Sequence, residues 1–169
     1  MLIQASDLIG LPVGALNTQS KIGQVQKIII DPANGKLLGF EVKKSGFFSK
    51  NKILSAADIL EFEQQGLVTG NEENLVNPEE VIRIKEVIGE KIKVLGAKAI
   101  TESKKYLGRI YDLLIDTDNL MVVKYYIKNL WQDRIVPSNK VVKIEKKGVI
   151  FAEDIVEETA VTEPEGAAA

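Results

Sequence analysis

Apolar residues recur along this chain in short alternating runs, and the runs are separated by Gly, Pro and Asn signals at close intervals. Residues 22–31 carry the β-branched Val25, Ile28 and Ile30 and stop at Asp31-Pro32-Ala33-Asn34-Gly35. There Pro32 sets φ and Asn34-Gly35 supplies the left-handed positions of a hairpin. In residues 36–43, Leu38, Phe40 and Val42 alternate with Gly39, Glu41 and Lys43, which predicts a strand with one solvated side, paired antiparallel to the strand before it. Residues 8–16 are apolar but broken by Gly10, Pro12 and Gly14; they predict a short edge strand, because proline cannot donate to a central ladder. After a polar loop at 44–51, Lys52-Ile53-Leu54 resumes an extended run and Ser55-Ala56-Ala57-Asp58 reads as one helical or 3₁₀ turn. Residues 59–63 and 66–69 then form a hairpin. Six short strands with turns this close predict a small β-barrel rather than a sandwich.

The pattern then returns. Ile22-Gly23-Gln24-Val25 with Ile28-Ile29-Ile30-Asp31 reappears as Leu107-Gly108-Arg109-Ile110 with Leu113-Leu114-Ile115-Asp116. Gly10 falls on Gly96 at an offset of 86, Gly23 on Gly108 at 85, and Ile53-Leu54-Ser55-Ala56 on Ile135-Val136-Pro137-Ser138 at 82. An offset that changes only inside expected loops marks an internal duplication. The organisation that follows is a first barrel at 1–70, a connector at 71–93, a second barrel at 94–156 and a tail at 157–169. In the connector, Asn77-Pro78-Glu79-Glu80 is a helix-start signal, Val81, Ile82, Ile84, Val87 and Ile88 supply an apolar stripe, and Gly89 ends the short helix. Each copy spans about 60–70 residues, a size at which a lone core is marginal. The copies are therefore expected to pack together, with Ile82, Ile84 and Val87 lying across the junction. The tail is acidic, contains Pro164 and is expected to be disordered.

Composition narrows the function. With 169 residues, 45% hydrophobic and 27% charged, the chain has the balance of a soluble globular protein. It holds no apolar run near the roughly 20 residues that span a bilayer. Residues 1–7 lack the basic and apolar regions of a secretory signal, so the expected location is cytoplasmic. There is no cysteine and no histidine, which removes disulfides, the usual zinc ligand sets, thiol nucleophiles and the commonest general base. The net charge of −2 is uneven: setting aside the six acids from Glu153 onward leaves 18 acids against 22 bases. A mildly basic body of this size does not by itself argue for nucleic-acid binding.

These elements resemble the PRC-barrel family. The matching residues are Ile9-Gly10, Ile22-Gly23-Gln24-Val25, residues 28–31 and Ile53-Leu54-Ser55-Ala56-Ala57-Asp58-Ile59 in the first copy. In the second they are Leu95-Gly96, Leu107-Gly108-Arg109-Ile110, residues 113–116 and Val136-Pro137-Ser138-Asn139-Lys140-Val141. The resemblance implies a mainly β fold, two small antiparallel barrels in tandem, and a binding platform rather than a catalyst. Family members include the cytoplasmic domain of a photosynthetic reaction-centre protein and the C-terminal domain of a ribosome-maturation factor. This chain lacks the membrane helix of the former and the N-terminal domain of the latter, and looks more like a free-standing tandem protein of a prokaryote.

Gly23 and Gly108 invite a ligand reading, but the spacing of Gly10, Gly14 and Gly23 fits no phosphate loop, and a strand bulge or bend accounts for both. Asp116-Thr117-Asp118-Asn119 begins like a calcium loop and fails at Leu120, Met121 and Ile127, so a hairpin turn is expected. The carboxylate pairs Glu72-Glu73 and Glu79-Glu80 read as a solvated connector and a helix start. No catalytic, cofactor or metal residue is assigned. The loop after the third strand is the informative place, since aromatics in a basic setting recur there in both copies: Phe47 and Phe48 in the first, Lys128, Leu130, Trp131 and Arg134 in the second. They serve either as anchors for a partner or as plugs that close the barrel ends, with the plugs favoured. The reading that results is a non-enzymatic adaptor, cofactor-free, that binds a protein partner through Phe47, Phe48, Lys128, Trp131 and Arg134. An RNA- or ribosome-associated module is the alternative, an enzyme using only carboxylates and lysine is the least favoured, and a homodimer would form through an exposed barrel edge or the aromatic loops.

Overall fold

The computed structural model describes residues 1–46 and 49–155. Among these residues fourteen strands and two α-helices follow one another as β1 (Leu2–Gln4), α1 (Ala5–Leu8), β2 (Pro12–Ala15), β3 (Ser20–Ile30), β4 (Leu37–Lys44), β5 (Asn51–Ser55), β6 (Ile59–Glu63), β7 (Gly66–Thr69), β8 (Leu75–Val76), α2 (Ile82–Glu90), β9 (Lys98–Thr101), β10 (Tyr106–Asp116), β11 (Met121–Lys128), β12 (Asp133–Pro137), β13 (Val141–Glu145) and β14 (Gly148–Phe151). They build two sheets. The first runs β6-β7-β2-β3-β4-β5-β8, and the second runs β13-β14-β9-β10-β11-β12, with β1 added to β10. With β2 set on β9, six strands of each order coincide, leaving β8 in the first sheet and β1 in the second without a counterpart, so the duplication is visible in the topology as well as in the sequence.

The ladders are antiparallel except where the first and last strands of each unit meet: β2 with β7 and β9 with β14 are parallel. That pairing corrects the expected edge strand. β2 lies between β3 and β7, and Pro12 is tolerated because it is the first residue of the strand, where a missing N–H is least costly. Ala56–Asp58 forms the expected 3₁₀ turn.

Both glycines at the starts of the long strands are required by close backbone approach. A side-chain carbon on Gly23 would stand 2.5 Å from Val42 Cγ1 and 2.8 Å from the Lys43 carbonyl oxygen. One on Gly108, where φ is +138°, would collide with the Lys128 carbonyl. The ladder between β9 and β10 shifts register between Tyr106 and Gly108, which places the bend where the repeat motif sits.

The connector differs from its expected form in two ways. Asn77-Pro78-Glu79-Glu80 does close a capping box, but around a 3₁₀ turn (Pro78–Glu80), and α2 starts only at Ile82. Moreover α2 does not bridge the two copies. Ile84 and Val87 pack on Ile29 and Ile53, whose neighbours Ile30 and Leu54 point into the barrel core, so the helix covers the outer face of the first sheet. Ile82 is exposed.

Arg83 fastens this helix. Its Nη2 and Nε donate to the two oxygens of the buried Asp31 carboxylate at 2.6 and 3.0 Å, and Nη1 reaches Glu86. The Arg83 guanidinium holds the Asp31 carboxyl below its usual range. A depressed carboxylate pKa adds stability that is complete above the unfolded value near 4 and is lost as pH falls through the folded one. Arg83→Ala is expected to lower stability at neutral pH and to flatten the acid limb below about pH 4. Urea midpoints taken from pH 7 to pH 2 measure both effects, and an unchanged acid limb would contradict the assignment.

The two sheets share one core. Leu37, Phe40 and Leu54 of the first belong to the same buried cluster as Ile115, Val122, Tyr125 and Phe151 of the second. The two long hairpins also bond to each other: the Leu37 N–H donates to the Leu120 carbonyl at 2.8 Å and the Val122 N–H to the Gly35 carbonyl at 3.1 Å. The N-terminus crosses over. β1 pairs with β10, and the Ser6 N–H and hydroxyl donate to the buried Asp112 at 3.0 and 2.6 Å, so residues 2–6 of the segment expected in the first barrel attach to the second sheet. Among the described residues no helix is long and apolar enough to cross a membrane.

Candidate functional site

β11 and β12 are joined by a tight turn whose geometry is set by one residue. The Asn129 side-chain oxygen accepts from the backbone N–H groups of Trp131 and Gln132 at 2.8 and 2.9 Å. Its Nδ2 donates to the Leu107 carbonyl at 3.0 Å, and its backbone N–H donates to the Gln132 carbonyl at 3.0 Å. An Asn side chain that mimics a backbone turn in this way leaves the intervening residues no inward course. Leu130 and Trp131 are accordingly 91% and 92% exposed. The expectation that the loop aromatics close a barrel end is therefore corrected for Trp131, which covers nothing. Phe47 and Phe48 lie outside the described residues.

The other two candidates separate. Lys128 stands opposite Asp133 on the outer face, and its Nζ sits 5.0 Å above the Tyr111 ring, a cation–π arrangement. Arg134 is opposite Ile127 and shares its inward register. Its Nη2 donates to Gln132 Oε1 at 2.8 Å, while Nε and Nη1 are buried with no hydrogen-bond partner among the described residues. The structure thus brings Lys128 and Trp131 to the outer surface and places Arg134 just beneath the same turn.

The strand surface below the turn went unrecognised in the sequence. Tyr126 projects outward between Lys124 and Lys128, its ring is 6.0 Å from that of Tyr111, and it pairs across the ladder with Ile135, which is 60% exposed. Burial raises the Tyr111 hydroxyl pKa, with Asp133 and Asp112 adding to it. The signal that reveals this surface is the alternation itself, since Lys124, Tyr126 and Lys128 hold every second place of β11. Elsewhere, a groove of about 520 Å³ runs between α2, the linker after it and β3, where the equivalent flank of the second sheet is filled by β1.

The family model of the PRC-barrel domain matches residues 1–75. That segment is a PRC-barrel domain. The match takes in β1 to β7 and reaches Leu75 in β8, and so contains the whole run of strands that the second sheet repeats. No curated protein matches the chain. A PRC-barrel domain is in general a binding or adaptor module.

Proposed function

We propose that the chain is a non-catalytic, cytoplasmic adaptor in which the second sheet is a second PRC-type barrel, and that this barrel holds a protein partner at the turn between β11 and β12. The observation that carries the reading is the near-complete exposure of Leu130 and Trp131 on a turn pinned by four hydrogen bonds of Asn129. A large apolar pair held out in water on a rigid support is costly to a lone molecule, and buried Trp and Arg anchors dominate protein interfaces. Pre-organisation by Asn129 lowers the ordering cost of binding. Lys128, at the outer surface beside the turn, favours a carboxylate on the partner's rim.

Recovery of partners by the immobilised full chain tests this reading against a Trp131→Ala variant. Because Trp131 touches little of its own fold, the variant is expected to keep its unfolding midpoint and lose about tenfold or more in partner recovery. Equal recovery removes the named surface. Recovery of RNA that disappears between low and moderate salt transfers the reading to a nucleic-acid module.

A further inference from the structure

The duplication permits a comparison within the molecule. On the first sheet, α2 sets Ile84 and Val87 onto the outward-facing Ile29 and Ile53, with Leu38 packed beside them, while β8 pairs with the outer edge of β5. At the repeat offsets of 85 and 82, these three positions become Leu114, Val123 and Ile135. All three are aliphatic. Yet among the described residues no helix lies on them and no strand pairs with the outer edge of β12, and Ile135 is 60% exposed. The anchor that α2 uses is also duplicated. Asp31, which receives Arg83, corresponds to Asp116, and among the described residues Asp116 accepts only within its own hairpin, from Asp118 N–H and Asn119 Nδ2.

From this we infer that the outer face of β10, β11 and β12 docks an amphipathic helix from a protein partner, seated as α2 is seated on the first sheet. The inference rests on the adaptor reading and names the partner's chemistry. The occupant is short, of two to three turns. It presents aliphatic residues at i and i+3 to Leu114, Val123 and Ile135, as Ile84 and Val87 do for their counterparts. The residue before the first of these is basic and meets Asp116, as Arg83 meets Asp31. Lys124 and Lys128, where the first sheet has Gly39 and Lys43, draw acids to the helix flank facing β11. The chain's own sequence after Ile155 does not meet this description, since its aliphatic residues larger than alanine are Val156 and Val161 and it contains Pro164.

The chain supplies its own probe, a blocked synthetic peptide of residues 74–91, which contains β8 and α2. It is titrated into the isotope-labelled full chain and followed by NMR. Saturable shifts are expected at Leu114, Val123 and Ile135. Ile135→Glu, a change at an exposed position, is expected to weaken binding about tenfold or more, as is an Ile84→Asp/Val87→Asp peptide. Several results overturn the inference: no saturable shift, shifts confined to Ile29, Leu38 and Ile53 through exchange with α2, or the same face shifted by an oligouridylate and not by the peptide. Two others assign the face differently. Signals that change on dilution give it to a second copy of the chain, and signals that change on removal of residues 156–169 give it to the chain itself. Peptide failure combined with Trp131-dependent partner recovery removes the helix inference alone, whereas recovery of no partner by the unaltered chain removes the adaptor reading.

Discussion

Replacing Tyr125 with alanine is expected to lower the free energy of unfolding by about 3–5 kcal/mol, the range for large aromatic truncations in a packed core. Tyr125 is 2% exposed and meets Phe151 edge-on with ring centroids 5.6 Å apart. Its hydroxyl reaches the Gly35 turn of the first sheet, 3.5 Å from where a side-chain carbon on that residue would lie. The ring therefore packs inside one barrel while its tip meets the other, and its removal weakens the barrel and the junction together. Urea unfolding followed by circular dichroism measures the loss, and a cost below about 1 kcal/mol would show that the site collapses without a cavity. Burial also pushes the Tyr125 hydroxyl up to about 12. A pKa raised above the unfolded value near 10 means that stability is intact below pH 10 and is lost as pH rises toward 12. Tyr125→Phe and Tyr125→Ala are both expected to soften that alkaline loss, and Tyr125→Ala lowers the whole curve as well.

The Gly108→Ala substitution is expected to cost about 3 kcal/mol or more, through two effects that act at once. Its φ of +138° is a conformation that side-chain-bearing residues rarely adopt, and the new carbon would strike the Lys128 carbonyl, a backbone atom that cannot rotate aside. Gly10 provides the comparison. It too has positive φ, at +91°, but its side faces open space, so Gly10→Ala bears the conformational cost alone and is expected to lose only about 1 kcal/mol. Thermal unfolding of the two variants separates strain from collision, and equal losses would mean that β11 yields at Lys128.

The fold was legible because strands and turns announce themselves locally. The alternation of Phe40 and Val42, the Asn34-Gly35 turn and the nearly constant repeat offset each depend on residues close together or on simple register. Leu38, expected on the face of Phe40, instead lies on the outer face, because the β3–β4 ladder shifts register beside it and puts Leu37 in the core. What was not legible depends on contacts across the molecule. Nothing local to Leu2-Ile3-Gln4 says that it pairs with Leu114, Ile115 and Asp116 rather than with its own barrel. The helix-start signal at Asn77-Pro78 does act as a cap, but three residues of 3₁₀ turn intervene because Val81 stays extended. At the candidate site, Trp131 and Lys128 stand out by residue type and recurrence. The exposure of Trp131 does not, because it follows from a side chain two places earlier, Asn129, that takes over the turn. Ile135 escapes notice for a related reason: an outward aliphatic position looks ordinary until its counterpart, Ile53, is seen to be covered by a helix.

The crossing of β1 to β10 also bears on how the chain is made. Ser6 leaves the ribosome 106 residues before Asp112, the residue that receives both of its hydrogen bonds. At translation rates of about 5–20 residues per second, that gap is roughly 5 to 20 seconds. Throughout it Ile3, Ala5 and Leu8, all buried in the finished protein, have no second sheet to enter. A segment made well before β10 thus finds its place only after it, and the docking of residues 2–6 reports that the second sheet has formed.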